Sequence, residues 1–176
     1  MKRLFTAAFV LAAVLFSLSS LAAAQTTRTY SLTRGDTMNP VPASVDPSGA
    51  TTYYGVLVAG QTEGAAAGVF TLSLTFRNTG VVDPTAGVYS GAIVSPFSSF
   101  VVNQNSGRKS VSTSGTIDAG SVTYRITADG FAEIISVVSG NLTIWEGKNK
   151  NRKAIGYGTL DYGTSVEGSG AMVLIF

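Results

Sequence analysis

Four side chains in this sequence are the first that chemistry would recruit: Glu133, Tyr124, Tyr157 and Trp145. A carboxylate beside a phenol can move a proton or hold a polar ligand, and Tyr and Trp offer a small molecule an apolar body with a polar tip. The dipeptide Asp129-Gly130 suggests where Glu133 stands. Asp-Gly suits the positive backbone angles of a two-residue type I′ hairpin, in which residue 128 faces 131. Ile126 then faces Glu133, Tyr124 faces Ile135, and Val122 faces Val137. Arg125 points to the opposite face with Thr123 and Thr127, out of reach of Glu133. A three-residue turn using Ala128 would shift the register by one and reverse that relation. With the two-residue turn, Glu133 is expected inside or at the mouth of a barrel, against a Tyr, Asn, Arg or ligand, because an interior charge needs a partner or a raised pKa. An ordinary structural hydrogen bond is the competing explanation.

A second group is Lys148, Lys150, Arg152 and Lys153, interleaved with asparagines and following Trp145. It reads either as a contact for an anionic partner or as the solvated tip of a hairpin. Tyr53, Tyr54, Tyr89, Tyr124, Tyr157 and Tyr162 could line a small-molecule cavity with Trp145, although β packing accounts for most of them equally well. Ser106-Gly107-Arg108-Lys109 has Ser-x-x-Lys spacing, but that chemistry needs one helical face and this is a Gly-containing turn. The chain has neither His nor Cys. Imidazole and thiolate metal sites, disulfides and the Ser-His-Asp and Cys-His machineries are therefore closed to it. No phosphate-cradling or dinucleotide fingerprint is present, so no cofactor and no metal is expected.

The elements that position these residues begin with a targeting segment. Lys2-Arg3, the apolar stretch Leu4 to Leu21 and the small residues Ala22-Ala23-Ala24 have the order of a bacterial secretory signal, with cleavage expected before Gln25. The serines at its far end and the absence of stop-transfer charges argue against an anchor, so no transmembrane helix is expected after cleavage. Without Lys2 and Arg3 the 12 basic residues become 10, matching the 10 acidic ones. The pI near 9.0 is then no nucleic-acid signature, and the mean hydropathy of +0.29 is inflated by the leader.

The rest reads as one all-β domain. From Gly68 to Asn78, Phe70, Leu72, Leu74 and Phe76 alternate with Thr71, Ser73, Thr75 and Arg77, giving one apolar and one wet face. Further short strands are expected over 27–33, 51–59, 87–95, 99–103, 109–118, 121–128, 131–139, 141–146, 154–162 and 170–176, closed by Gly and Asp turns. Asp118-Ala119-Gly120 is expected to be one such turn, and the Pro-containing stretch 34–49 a surface loop. The organisation expected is a signal peptide over 1–24, an N-terminal strand and loop over 25–50, and a barrel body over 51–176, with 25–176 one domain. The architecture is a single antiparallel β-barrel with its terminal strands adjacent, a curled β-sandwich being the alternative.

The expected function is an exported, periplasmic or extracellular, non-catalytic module holding a small apolar molecule inside the barrel, with no nucleic-acid partner. Two alternatives stand beside it. An integral outer-membrane barrel fits the terminal alternation of Met172, Leu174 and Phe176, but several expected strands are shorter than the ~9–11 residues that crossing needs. A cofactor-free isomerase or cyclase would use Glu133 and Tyr124.

Overall fold

The computed structural model describes residues 25–33, 36–38, 43–45, 47–63, 67–106, 109–147, 149–163 and 170–176. The signal peptide read over 1–24 lies outside them, as does Lys148. The chain forms eleven strands: β1 (Thr27–Leu32), β2 (Asp36–Met38), β3 (Ala43–Val45), β4 (Thr51–Glu63), β5 (Gly68–Asp83), β6 (Val88–Ile93), β7 (Ser99–Ser106), β8 (Lys109–Ile126), β9 (Ala132–Glu146), β10 (Lys153–Tyr162) and β11 (Gly170–Ile175). All pairings are antiparallel, and they close a ring of eight positions. Around the ring β1 pairs with β11, then follow β10, β9 and β8; β6 and β7 together bridge β8 to β5; and β4 returns to β1. The expected all-β barrel with adjacent terminal strands is the observed fold.

Strand length differs from expectation. The segments read as 109–118 and 121–128 form one strand, β8, and those read as 131–139 and 141–146 form β9. Asp118-Ala119-Gly120 is a bulge within the β8–β9 ladder and not a turn. The reason is the use of glycine. Many of the 20 glycines sit inside strands, where they let large side chains from the next strand lie flat across the backbone. A Cβ at Gly60 would meet the Phe70 ring at 2.6 Å, one at Gly91 the Phe76 ring at 2.8 Å, and one at Gly115 the Phe100 ring at 2.5 Å.

The stretch 34–49 also departs from the loop expected of it, because β2 and β3 continue the line of β1 along the same edge of β4. The pairs Leu32–Thr62, Asp36–Ala59 and Ala43–Tyr53 show the register advancing by one residue at each break, so the prolines fall between short paired pieces.

β6 and β7 share one ring position because the chain leaves and rejoins it through the turn Val94–Phe97. Ser98 fills the interruption: its hydroxyl accepts from the Thr75 amide at 2.8 Å and donates to the Thr75 carbonyl at 3.0 Å. A side chain thus supplies what the missing ladder residue would have bonded.

Most inward positions are apolar, Thr62 and Thr113 being polar residues buried among them. Leu72, Leu74, Phe76, Phe100, Ile117, Ile144, Leu160 and Leu174 are fully buried, and Thr71, Ser73, Ser112, Ser114, Asn141 and Thr159 alternate with inward residues on the outer face. Eight strands enclose an interior just wide enough for side chains to fill. Here they fill it: Tyr30, Phe70 and Tyr162 pack towards one side of the core, and Phe76 and Tyr124 towards another.

Candidate ligand cleft at the tyrosine end of the barrel

The hairpin that was to place Glu133 closes differently. Thr127 pairs with Phe131, the Thr127 amide donating to the Phe131 carbonyl at 2.9 Å and the Gly130 amide to the Thr127 carbonyl at 3.0 Å. Gly130 has φ +81° whereas Asp129 keeps a negative φ, so the type I′ geometry, which needs both positive, is not met. The Thr127 hydroxyl also accepts the Phe131 amide at 3.1 Å and draws Ala128 into a three-residue loop. The register therefore moves by one: Arg125 pairs with Glu133, and Tyr124 with Ile134.

Glu133 lies on the outer face beside Arg125, whose Nε is 3.2 Å from its carboxylate. The interior or barrel-mouth position expected for it is thus corrected. A half-exposed pair of this kind contributes at most about 1 kcal/mol. A bulge between Thr123 and Tyr124 then restores the expected pairing of Val122 with Val137.

Tyr124 and Glu133 consequently occupy opposite faces of the sheet, and one substrate cannot touch both. Trp145 and Tyr157 lie outside the barrel near the other end of β9. The Trp145 indole N–H donates to Thr116 Oγ1 at 2.9 Å while the Arg152 guanidinium lies 4.1 Å above its ring. Tyr157 is 54% exposed and accepts a hydrogen bond from Gln25. Lys150 lies within a short 3-10 turn, Asn149–Asn151, with Arg152 and Lys153 directly after it, and all three are exposed, as a hairpin tip requires.

The structure does gather tyrosines, at the hairpin end of β5, β6 and β8. Tyr124 is fully buried among Phe76, Tyr53 and Tyr89, with ring centroids 4.8, 5.1 and 5.6 Å away. The registers place these rings together: Tyr53 pairs with Phe76 across β4–β5, and Tyr89 with Tyr124 across β6–β8. Asn78 Nδ2 donates to the Tyr124 hydroxyl at 2.6 Å. Burial pushes the Tyr124 phenol well above the usual tyrosine range; the Asn78 hydrogen bond opposes that, and Tyr53 adds to it. At neutral pH it is a fixed neutral hydroxyl, unsuited to be a base.

That pKa has a consequence for stability. The folded-state value exceeds the ordinary ~10, so the contribution is whole below pH ~10 and is lost as pH rises through the folded value. Tyr124→Phe is expected to cost about 0.5–1.5 kcal/mol at pH 8, the worth of the Asn78 hydrogen bond. It should also flatten the alkaline fall in stability. Urea midpoints of both proteins at pH 8 and 11 check this, and an equal fall in both would refute it.

In front of these rings lies an open cleft of about 430 Å³, within the ~300–1,000 Å³ of small-ligand sites. Ser48, Thr51, Asn78, Thr79, Gly80 and Tyr89 line it together with Gly49, Ala50 and Val81. β4 begins here, β5 ends here and β6 begins here, so three strands frame it. The β5–β6 turn is stiffened by Asp83, whose carboxylate accepts from the Thr85 hydroxyl and from the Thr85 and Ala86 amides. Those bonds hold the carboxyl below its ordinary range.

Sequence reasoning found Tyr53, Tyr89 and Tyr124 but not Asn78, Thr79 or the Ser48–Thr51 segment. The cleft depends on β5 running past Asn78 to Asp83, beyond the strand expected there. The chain matches no protein-family model, no curated protein and no solved structure.

Proposed function

We propose that this protein is an exported, water-soluble β-barrel that works by binding a small molecule at its tyrosine-lined end. One observation carries the reading: the large apolar side chains of the strands are mostly buried inside the barrel and fill its described interior, while the outer face, although Val69, Val111, Val138, Ile155 and Tyr157 are exposed on it, is interspersed with polar residues such as Thr71, Ser112, Ser114, Asn141 and Thr159. Transmembrane barrels have the opposite facing, with an apolar band outside and a polar lumen. The strand-length objection to an outer-membrane barrel holds for β1, β6, β7 and β11, which have 6, 6, 8 and 6 residues, but not for β5, β8 and β9, which have 16, 18 and 15. The facing of those strands supports the water-soluble reading in its place.

The filled interior favours the open cleft before Tyr89 over the inside of the barrel as the place for a ligand. The separation of Glu133 from Tyr124 favours binding over isomerase or cyclase chemistry. Export rests on the order of Lys2-Arg3, the apolar stretch and Ala22 to Ala24. The protein recovered from a bacterial host is expected in the detergent-free periplasmic or extracellular fraction, with an intact mass beginning at Gln25 and a β-type circular dichroism spectrum. Recovery only from outer membrane with detergent would overturn the proposal.

A further inference from the structure

We infer that the cleft before Tyr89 takes an uncharged, hydroxyl-bearing ring, of which a pyranose sugar is the chemical type; the inference rests on the binding-module reading. Three features of the cleft argue for this class. First, none of the side chains lining it is ionised at neutral pH. No side chain of the lining itself offers a counter-charge to a charged ligand, and the Arg77 guanidinium beside it is engaged in a hydrogen bond to the lining hydroxyl Ser48 Oγ at 2.9 Å.

Second, the lining offers hydrogen-bonding groups with capacity to spare. One Asn78 N–H is committed to Tyr124, leaving a second N–H and a carbonyl oxygen. The Tyr89 hydroxyl makes no hydrogen bond within the described residues, and no buried polar atom among them lacks a partner, so that hydroxyl is open to solvent. The Thr79 hydroxyl shares one bond at 2.9 Å with Ser90, which lies behind the lining and also donates to the Gly80 carbonyl at 3.4 Å, and retains an acceptor position. An apolar ligand would strip water from these groups and return nothing.

Third, the aromatic wall is rigid. Tyr89 is stacked on Tyr124 at 5.6 Å and 26°, and Tyr124 is held by Phe76, Tyr53 and Asn78. The half-buried Tyr89 ring thus presents an electron-rich surface to the weakly positive C–H face of a sugar, without first having to be ordered.

The test is a ¹H–¹⁵N NMR titration of the mature protein with methyl glucoside, galactoside, mannoside and N-acetylglucosaminide, and separately with the uncharged apolar fluorophore N-phenyl-1-naphthylamine. At least one glycoside is expected to shift Asn78, Thr79, Gly80 and Tyr89 amides saturably. Tyr89→Ala should weaken it about tenfold, whereas Tyr157→Ala should leave it unchanged. Tyr89→Phe keeps the ring, and binding within about threefold of the parent shows that Tyr89→Ala did not simply unfold the site. Binding of the fluorophore at these amides without any glycoside overturns the sugar class and leaves the binding-module reading standing. Glycoside binding indifferent to Tyr89→Ala overturns the cleft as its place. Silence towards every probe overturns both.

Discussion

Gly115→Ala is expected to lower stability by about 3 kcal/mol or more, the upper end of what overpacking a core costs. For a domain of this length that is a fall in Tm of roughly 6–12 °C, readable by calorimetry. The substitution adds one methyl group to an inward position of β8, where burial by itself would be favourable. The geometry reverses the sign. The new Cβ would meet the Thr143 carbonyl of β9 and would lie 2.5 Å from the Phe100 ring of β7. The ring can swing aside, but the carbonyl belongs to the ladder that joins Gly115 to Ile144 and cannot move without it.

Two further variants separate these causes. Phe100→Leu in the Gly115→Ala background removes the aromatic obstacle, and stability should not recover. Gly130→Ala, at φ +81° with nothing within 4 Å, carries backbone strain without a clash and should cost only ~1–2 kcal/mol. A neutral Gly115→Ala would mean that β8 and β9 are not as close as described.

Glycine inside strands also explains what the sequence concealed. Alternation of large apolar and small polar residues exposed β5 and the all-β class, because period two survives in any half-buried strand. Strand ends were hidden because glycine marks turns in most contexts, and here Gly80, Gly120 and Gly140 occupy strand interiors. Reading them as breaks divided β8 and β9 and shortened β5 at the residues that line the cleft. The Asp129-Gly130 register failed for a smaller reason: the Thr127 hydroxyl competes for the Phe131 amide, and a two-residue template takes no account of it. One position of slip was enough to move Glu133 from the inner to the outer face. Tyr53, Tyr89 and Tyr124 were individually legible, but their convergence depended on pairings among β4, β5, β6 and β8 that local sequence does not encode.

Phe76→Ala is expected to cost about 3–5 kcal/mol, the loss of a fully buried ring together with the cavity left behind. The site cannot collapse easily, because three strands meet around it. On β6 the nearest inward neighbour is Gly91, with no side chain to fill the space, and on β4 and β8 Tyr53 and Tyr124 are braced against Phe76 at 5.2 and 4.8 Å. Removal of the ring therefore leaves a void behind the cleft and unseats the aromatic wall that holds Tyr89. Phe76→Leu separates the two roles. It restores most of the volume and should cost less than half as much in urea titration, but it forfeits both ring contacts, worth ~0.5–1.5 kcal/mol each. A folded Phe76→Leu protein should then show broadened or shifted Tyr53, Tyr89 and Tyr124 ring resonances, with the remainder of the core unchanged. If the alanine variant is as stable as the leucine variant, Phe76 is not the keystone between core and cleft, and the rigidity ascribed to Tyr89 loses its support.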